Sequence, residues 1–343
     1  MQLRAFLQIL MVALLCSPVP VMAQQMTSVN ATSVESLPPL KGELTLYLGR
    51  GEGGLYEDVL NAIQERNPEF TLNIRRGPTA ALANAIMAES KAGIRRADLF
   101  WAVDSGAIGM VVDAGLATTV PNDVRQQLLP QFRFSHWTPI SGRVRTLPFN
   151  SETRNANDIP DNIFALPNSG LRIAWAPAYA SFQSFVTAMR LHSGEEKTLN
   201  WLKQMKQHAT RYAGELGVVM AVERGEVDVG LANHYYTLRL KKGKPNANVD
   251  LAFTQNDAGS LINASGIVAL NDNKTAVDFI RYLLTKEVQT FLASEAYELP
   301  MVQGIASPQG LPSMDQLAPP KVDLTELSDL RPTLNLMRKA GVL

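Results

Sequence analysis

An alternation of strand-like and helix-like stretches runs along this chain, and midway it begins again. Leu44-Thr45-Leu46-Tyr47-Leu48 predicts a first strand, Leu55, Val59 and Ile63 fall at helical spacing before Asn67-Pro68, and Phe70 to Ile74 predicts a second strand. An alanine-rich helix over Thr79 to Lys91, a strand over Asp98 to Ala102 and a helix over Asp104 to Asp113 follow. This alternation points to α/β architecture with mostly parallel sheets, because parallel strands need the crossover that a helix supplies. After Ser141 to Phe149 the pattern restarts, with a strand at Leu171 to Trp175, helices at Ser181 to Leu191, Glu195 to Gln207 and Val218 to Arg224, and a strand at Val227 to Ala232. The apolar run Ile262 to Leu270 predicts a strand that crosses back to the first unit, with helices over Thr275 to Leu284 and Lys286 to Ala293 after it. The tail from Pro308 to Leu343 is Pro-rich and then helical. A chain that leaves one α/β unit, builds another over roughly Asn150 to Gly259, and returns makes two lobes that can hinge about a cleft.

The expected boundaries are a signal peptide at 1–23, a disordered leader at 24–42, an N-terminal lobe at 43–145 plus 262–305, and a C-terminal lobe at 146–261 plus 306–343. Arg4, the apolar stretch Ala5 to Leu15 and Val21-Met22-Ala23 before Gln24 form the signal, cut after Ala23. The apolar stretch is too short to anchor a chain in a bilayer, and Leu14-Leu15 ahead of Cys16 argues against lipidation. Cys16 is the only cysteine, so the mature chain is expected to lack disulfides and thiol chemistry and to rest on its apolar core. With 32 basic and 32 acidic residues the chain is neutral, which gives no support to a nucleic-acid or anionic-membrane partner.

Asn233-His234-Tyr235-Tyr236 follows the buried-strand pattern Val227 to Ala232 and places two phenols at the edge of a sheet. In open α/β sheets that edge, outside the carboxyl ends of the strands, is where ligands bind. Phenolate is a hard oxygen donor suited to a hard, highly charged cation such as ferric iron, whereas zinc or copper recruits Cys and His. A free phenol is neutral near pH 7, so the metal's own charge must deprotonate it, and binding should release protons and weaken as pH falls.

With a signal peptide, two interleaved α/β lobes and His-Tyr-Tyr at the second lobe's mouth, the chain resembles the periplasmic ferric-iron-binding proteins of bacterial ABC importers. The resemblance spans Glu43 to Leu343 and is carried by Gly49-Arg50-Gly51-Glu52, Ala97-Asp98-Leu99-Phe100-Trp101, Ser141-Gly142-Arg143-Val144-Arg145, Trp175-Ala176-Pro177 before Ser181-Phe182-Gln183, and Tyr297-Glu298-Leu299-Pro300. Its most specific stretch is Gly225 to Leu231 running into Asn233-His234-Tyr235-Tyr236. The resemblance implies a type II periplasmic binding fold with hinge strands between the lobes, and Fe3+ as the transported ligand. It also implies direct ligation by Tyr235 and Tyr236, and a third tyrosine ligand at Tyr179 in the loop after the Ala-Pro turn. The partners it implies are an inner-membrane permease and its ATPase, met by a periplasmic monomer. Some relatives add a histidine and a glutamate; Gly51 and Val103 stand at those positions here, which leaves room for a synergistic anion such as carbonate. Arg50, Arg143 and Arg145 are the candidate anion ligands, since guanidinium grips a planar oxyanion with two prongs, and Glu52 is an extra candidate metal ligand.

Plainer roles compete for the same residues. A Tyr-Tyr pair is elsewhere a rim or core aromatic with a satisfied hydroxyl, and Tyr179 could plug the lobe interface. His234 is expected to turn away and orient the loop, and His136, His192 and His208 lack metal-ligand spacing. Arg143 and Arg145, two apart on a strand, share a face, and could instead pair with Glu52 or Asp104, though Asp104 reads best as a helix N-cap. Lys241, Lys242 and Lys244 read as a solvated face. Two other functions stand beside iron capture: binding of an anionic organic solute, a phosphonate or sugar phosphate, through the three arginines, and an exported metal-dependent hydrolase. The chain lacks a nucleophile elbow, a metalloprotease helix motif and a Ser-x-x-Lys constellation, and no catalytic residue is expected.

Overall fold

The computed structural model describes residues 31–49, 54–314 and 316–343. The signal peptide, Arg50 and Glu52 lie outside the described residues. The first α/β unit runs β1 (Gly42–Leu48), α1 (Leu55–Arg66), β2 (Phe70–Arg76), α2 (Thr79–Lys91), β3 (Leu99–Ala102), α3 (Ser105–Asp113) and α4 (Asn122–Gln127). Alternating Leu44, Leu46 and Leu48 are buried in β1, and all four residues of β3 are buried, as befits strands covered on both faces. Asp104 caps α3, its Oδ1 accepting the Ala107 N–H at 3.3 Å, as its position predicts.

The long strand β4 (Thr138–Phe149) is the element that both lobes share. It leads into β5 (Ile173–Trp175), α5 (Ala180–Ser193), α6 (Glu195–His208), β6 (Ala209–Arg211), α7 (Glu215–Glu223), β7 (Val229–Gly230), β8 (Ala232–Asn233), α8 (His234–Gly243) and β9 (Asp250–Ala252). The return consists of β10 (Ile262–Ala269), α9 (Lys274–Leu283), α10 (Lys286–Ser294), β11 (Leu299–Pro300) and α11 (Leu330–Ala340). Along the main path the strand order is β2-β1-β3-β10-β4-β7-β5-β6. The first part of β4 pairs with β10, from Thr138 opposite Ile267 to Val144 opposite Ile262, and with β11. Its last part pairs with β8, β9 and β7, beginning at Arg145 opposite Asn233. The sheets are therefore mixed: pairing is parallel at β1, β2 and β3 and at β5, β6 and β7, and antiparallel wherever the chain crosses between the lobes. Gly142 lies where β4 passes β11, and a Cβ there would overlap the Met301 side chain.

Residues 31–41, expected within a disordered leader, are instead docked. Ser33 Oγ and the Val34 N–H donate to Glu287 at 2.8 and 2.9 Å, Arg66 pairs with Glu35 at 2.9 Å, and Leu40 is buried with its N–H on Asn67 Oδ1. Their polar composition is offset by partners on α1 and α10 that composition cannot reveal. In the tail, residues 324–328 pack on α3, and α11 packs on α5 and α6. No helix among the described residues is long and apolar enough to cross a membrane.

Candidate metal centre

Tyr179 is the N-cap residue of α5, and Tyr235 and Tyr236 stand in the first turn of α8. The pair was expected just past a strand; the strand pattern breaks into the two short pieces β7 and β8, and His234 opens a helix at once. Two helix N-termini thus bring three phenols together. Tyr179 Oη and Tyr236 Oη are hydrogen-bonded at 2.9 Å, and the Tyr235 and Tyr236 rings lie 4.6 Å apart between centroids. Asn233 Nδ2 donates toward Tyr235 Oη at 3.4 Å. The three phenols line a cleft of about 350 Å³ together with Ser181, Arg143, Arg239 and, on the facing wall, Val103, Asp104 and Glu298.

Burial pushes the Tyr235 phenol above its ordinary range, with the Arg143 charge pulling the other way. Burial likewise pushes Tyr236 up, reinforced by Tyr235 beside it and by its bond to Tyr179. The protein alone therefore favours neutral phenols at these two positions, and a cation must displace their protons to bind them. Arg239 lies with its guanidinium 4.8 Å from the Tyr235 ring centroid, where its charge would favour phenolate.

The three arginine candidates separate. Arg143 lines the cleft, its Nη1 donating to the Val103 carbonyl at 2.7 Å. Arg145 is buried and committed elsewhere: Nη1 meets Glu215 at 2.6 Å and Nη2 meets the Ser181 carbonyl at 2.8 Å. Its expected part in an anion site is thereby corrected, and the paired face of Arg143 and Arg145 meets two different surroundings. Arg50 and Glu52 fall outside the described residues. Arg239, not among the expected anion ligands, is the second arginine that lines the cleft. Its spacing three residues after Tyr236 on a helix, on the same side, could have revealed it.

His234 turns away from the cleft. Its Nδ1 accepts the Val144 N–H at 3.1 Å, which assigns the proton to Nε2, and Nε2–H donates to the Tyr297 carbonyl at 2.5 Å. Complete burial drops its pKa to about 4. Tyr297 has φ +56°, a left-handed conformation costly for a tyrosine, at the turn that presents this carbonyl. Glu298, next in sequence, is buried against the Tyr56 and Ser141 hydroxyls and had drawn no attention as a cleft residue. Lys241, Lys242 and Lys244 each reach an acidic partner, Asp250, Glu295 and Glu223 respectively. Among the described residues no three His, Cys, Asp or Glu side chains come together as a metal site; the cleft instead gathers three phenols, with the Asp104 and Glu298 carboxylates across from them.

The model of the family described as bacterial extracellular solute-binding protein matches residues 44–298. The chain is 32% identical to the Fe(3+)-binding periplasmic protein of Serratia marcescens over 79% of its own length and 83% of that protein. It is 27% identical to the major ferric iron-binding protein of Neisseria meningitidis over 91% of its own length and 97% of that protein. The crystal structure of iron-bound HitA from Pseudomonas aeruginosa is similar at a TM-score of 0.76 and 28% identity, covering 87% of this chain and 99% of that one. With the two-lobe fold and a concave cleft in place, the chain belongs to the bacterial extracellular solute-binding protein family, as a periplasmic-type binding and transport protein and not an enzyme.

Proposed function

We propose that the cleft captures ferric iron through the phenolates of Tyr179, Tyr235 and Tyr236 and delivers it to an inner-membrane permease with its ATPase, the protein acting as a periplasmic monomer. Membership of the family implies an ABC-type transport system; the cargo, the monomeric state and the particular partners are this reading's own. One observation carries it: Tyr179 Oη stands 2.9 Å from Tyr236 Oη, with Tyr235 against Tyr236, in a cleft lined by two arginines. Three phenols so close form a weak site for a neutral molecule and a strong one for a trivalent cation that takes all three as anions. The relatives named for ferric iron support the same cargo.

Three phenolates balance the charge of a ferric ion and leave coordination positions free. Arg143 and Arg239 line the cleft and suit a small synergistic anion such as carbonate. Release would follow protonation of the phenols, reduction of the iron, or opening of the lobes on the permease.

The test is a visible titration of the metal-stripped mature protein with ferric iron, with and without carbonate, repeated on Tyr235→Phe and Tyr179→Phe. Phenolate bound to ferric iron absorbs visible light. A band saturating at one iron per protein in the wild type, lost or shifted in both variants, is expected. Absence of a band at every iron level would overturn the reading in favour of an anionic organic solute.

A further inference from the structure

Glu215 opens α7 with a side chain wholly shielded from solvent, and it touches every element that carries a proposed ligand. Its Oε1 accepts from Arg145 Nη1 at 2.6 Å and from the Ser181 hydroxyl. Its Oε2 accepts from the Asn233 N–H at 2.9 Å. Ser181 lies two residues beyond Tyr179 in the first turn of α5, and Asn233 is the N-cap of α8, two residues before Tyr235. Arg145, on the shared strand β4, adds its own bond to the Ser181 carbonyl at 2.8 Å and lies 5.4 Å from the Phe185 ring centroid. One ion pair therefore holds the start of α5, the start of α8 and the strand that joins the lobes.

We infer that the Glu215–Arg145 pair is the positioning device of the three-phenol site, fixing the beginnings of α5 and α8 so that Tyr179 and Tyr236 come within bonding distance. A fully buried ion pair seldom outdoes apolar packing in stability, because desolvation offsets the attraction, so net stability alone does not account for this one. The directions here are set by groups that an apolar side chain cannot serve: a backbone N–H at a helix cap and a serine hydroxyl, both facing the same carboxylate. Donor sites tolerate little misplacement, and groups that orient metal ligands matter to affinity nearly as much as the ligands. The functional half of this inference rests on the tyrosines binding iron; the positional half does not.

Glu215→Gln in the full mature chain tests it. Glutamine keeps one acceptor oxygen but turns an amide N–H2 toward one of the former donors. The expected result is a 10- to 100-fold loss of ferric affinity, measured by competition with a chelator, and a displaced phenolate-to-iron band, the loss being about that seen for outer partners of metal ligands. In the iron-free protein, the ring 13C resonances of Tyr179, Tyr235 and Tyr236 should move while those of Tyr47 and Tyr282 stay. Glu215→Asp, which keeps the charge, should recover part of the affinity. Ser181→Ala removes one tether without stranding a buried charge, and should give a smaller shift in the same sense even if Glu215→Gln fails to fold. Wild-type band, affinity and tyrosine resonances in a folded variant, with only the melting temperature lowered, would overturn the inference. If the wild type shows no iron band yet the resonances move in the variants, the iron reading fails and the positioning stands.

Discussion

The two walls of the cleft are built to different rules. One wall, from the N-termini of α5 and α8, carries all three phenols and Arg239, and behind it lie Glu215, Arg145 and His234, each buried and hydrogen-bonded. The facing wall presents Val103, Asp104 and Glu298, with the two carboxylates engaged in a helix cap and in hydroxyl contacts. On the proposed reading a cation would dock first on the phenol wall, and closure of the lobes would bring the other wall over it. The difference teaches that affinity and closure would be separable in such a site, because the three phenols sit on one lobe and are held by groups on that lobe and the shared strand.

Protons provide the largest lever on that asymmetry. If three phenols ionise on binding, the apparent ferric affinity, corrected for the competing chelator, should fall by about a thousandfold from pH 7 to pH 6. Tyr235→Phe should reduce that slope to about a hundredfold, one proton fewer. A flat profile would break the comparison, since neither wall would then owe anything to phenolate.

Removing a charge behind the phenol wall comes next. Arg145→Met leaves Glu215 buried without its cation, and should cost roughly 3–5 kcal/mol in denaturant unfolding. His234 tests the same wall through pH. Its folded value of about 4 lies below the ordinary 6.5, so the unfolded chain binds more protons between those values. The iron-free protein should hold this contribution fully above pH 6.5 and lose it as pH falls toward 4, by about 3 kcal/mol for a group so buried. Unfolding curves of His234→Gln should be flatter over that window, and an unchanged slope would remove His234 from the account. The smallest effect is expected at the strand between the walls: Arg143→Gln should weaken carbonate-dependent iron binding about tenfold, on the scale of one charge-assisted hydrogen bond, with little change in stability. Equal losses from Arg143→Gln with and without carbonate would deny it an anion role.

Much of this was legible before any coordinates. Periodicity located α2 over Thr79–Lys91 and the helix cap at Asp104, and the crossing strand β10 begins at Ile262 as its apolar run suggested. Tyr179, Tyr235 and Tyr236 were named from local pattern and resemblance, and the fold brings them together. The helix beginning at His234 was missed because β7 and β8 are two residues each, too short for an alternating pattern to register where one state ends.

The sequence by itself determined the two-lobe α/β plan and which tyrosines to watch, because periodicity and side-chain type are local properties. Only the tertiary structure decided what Arg143 and Arg145 do. Their two-residue spacing on β4 is the same in either setting, but the strand changes lobes between them: one guanidinium opens on the cleft and the other meets Glu215. Which partner a side chain meets depends on residues far away along the chain, here 40 and 70 positions distant, and no local pattern carries that information.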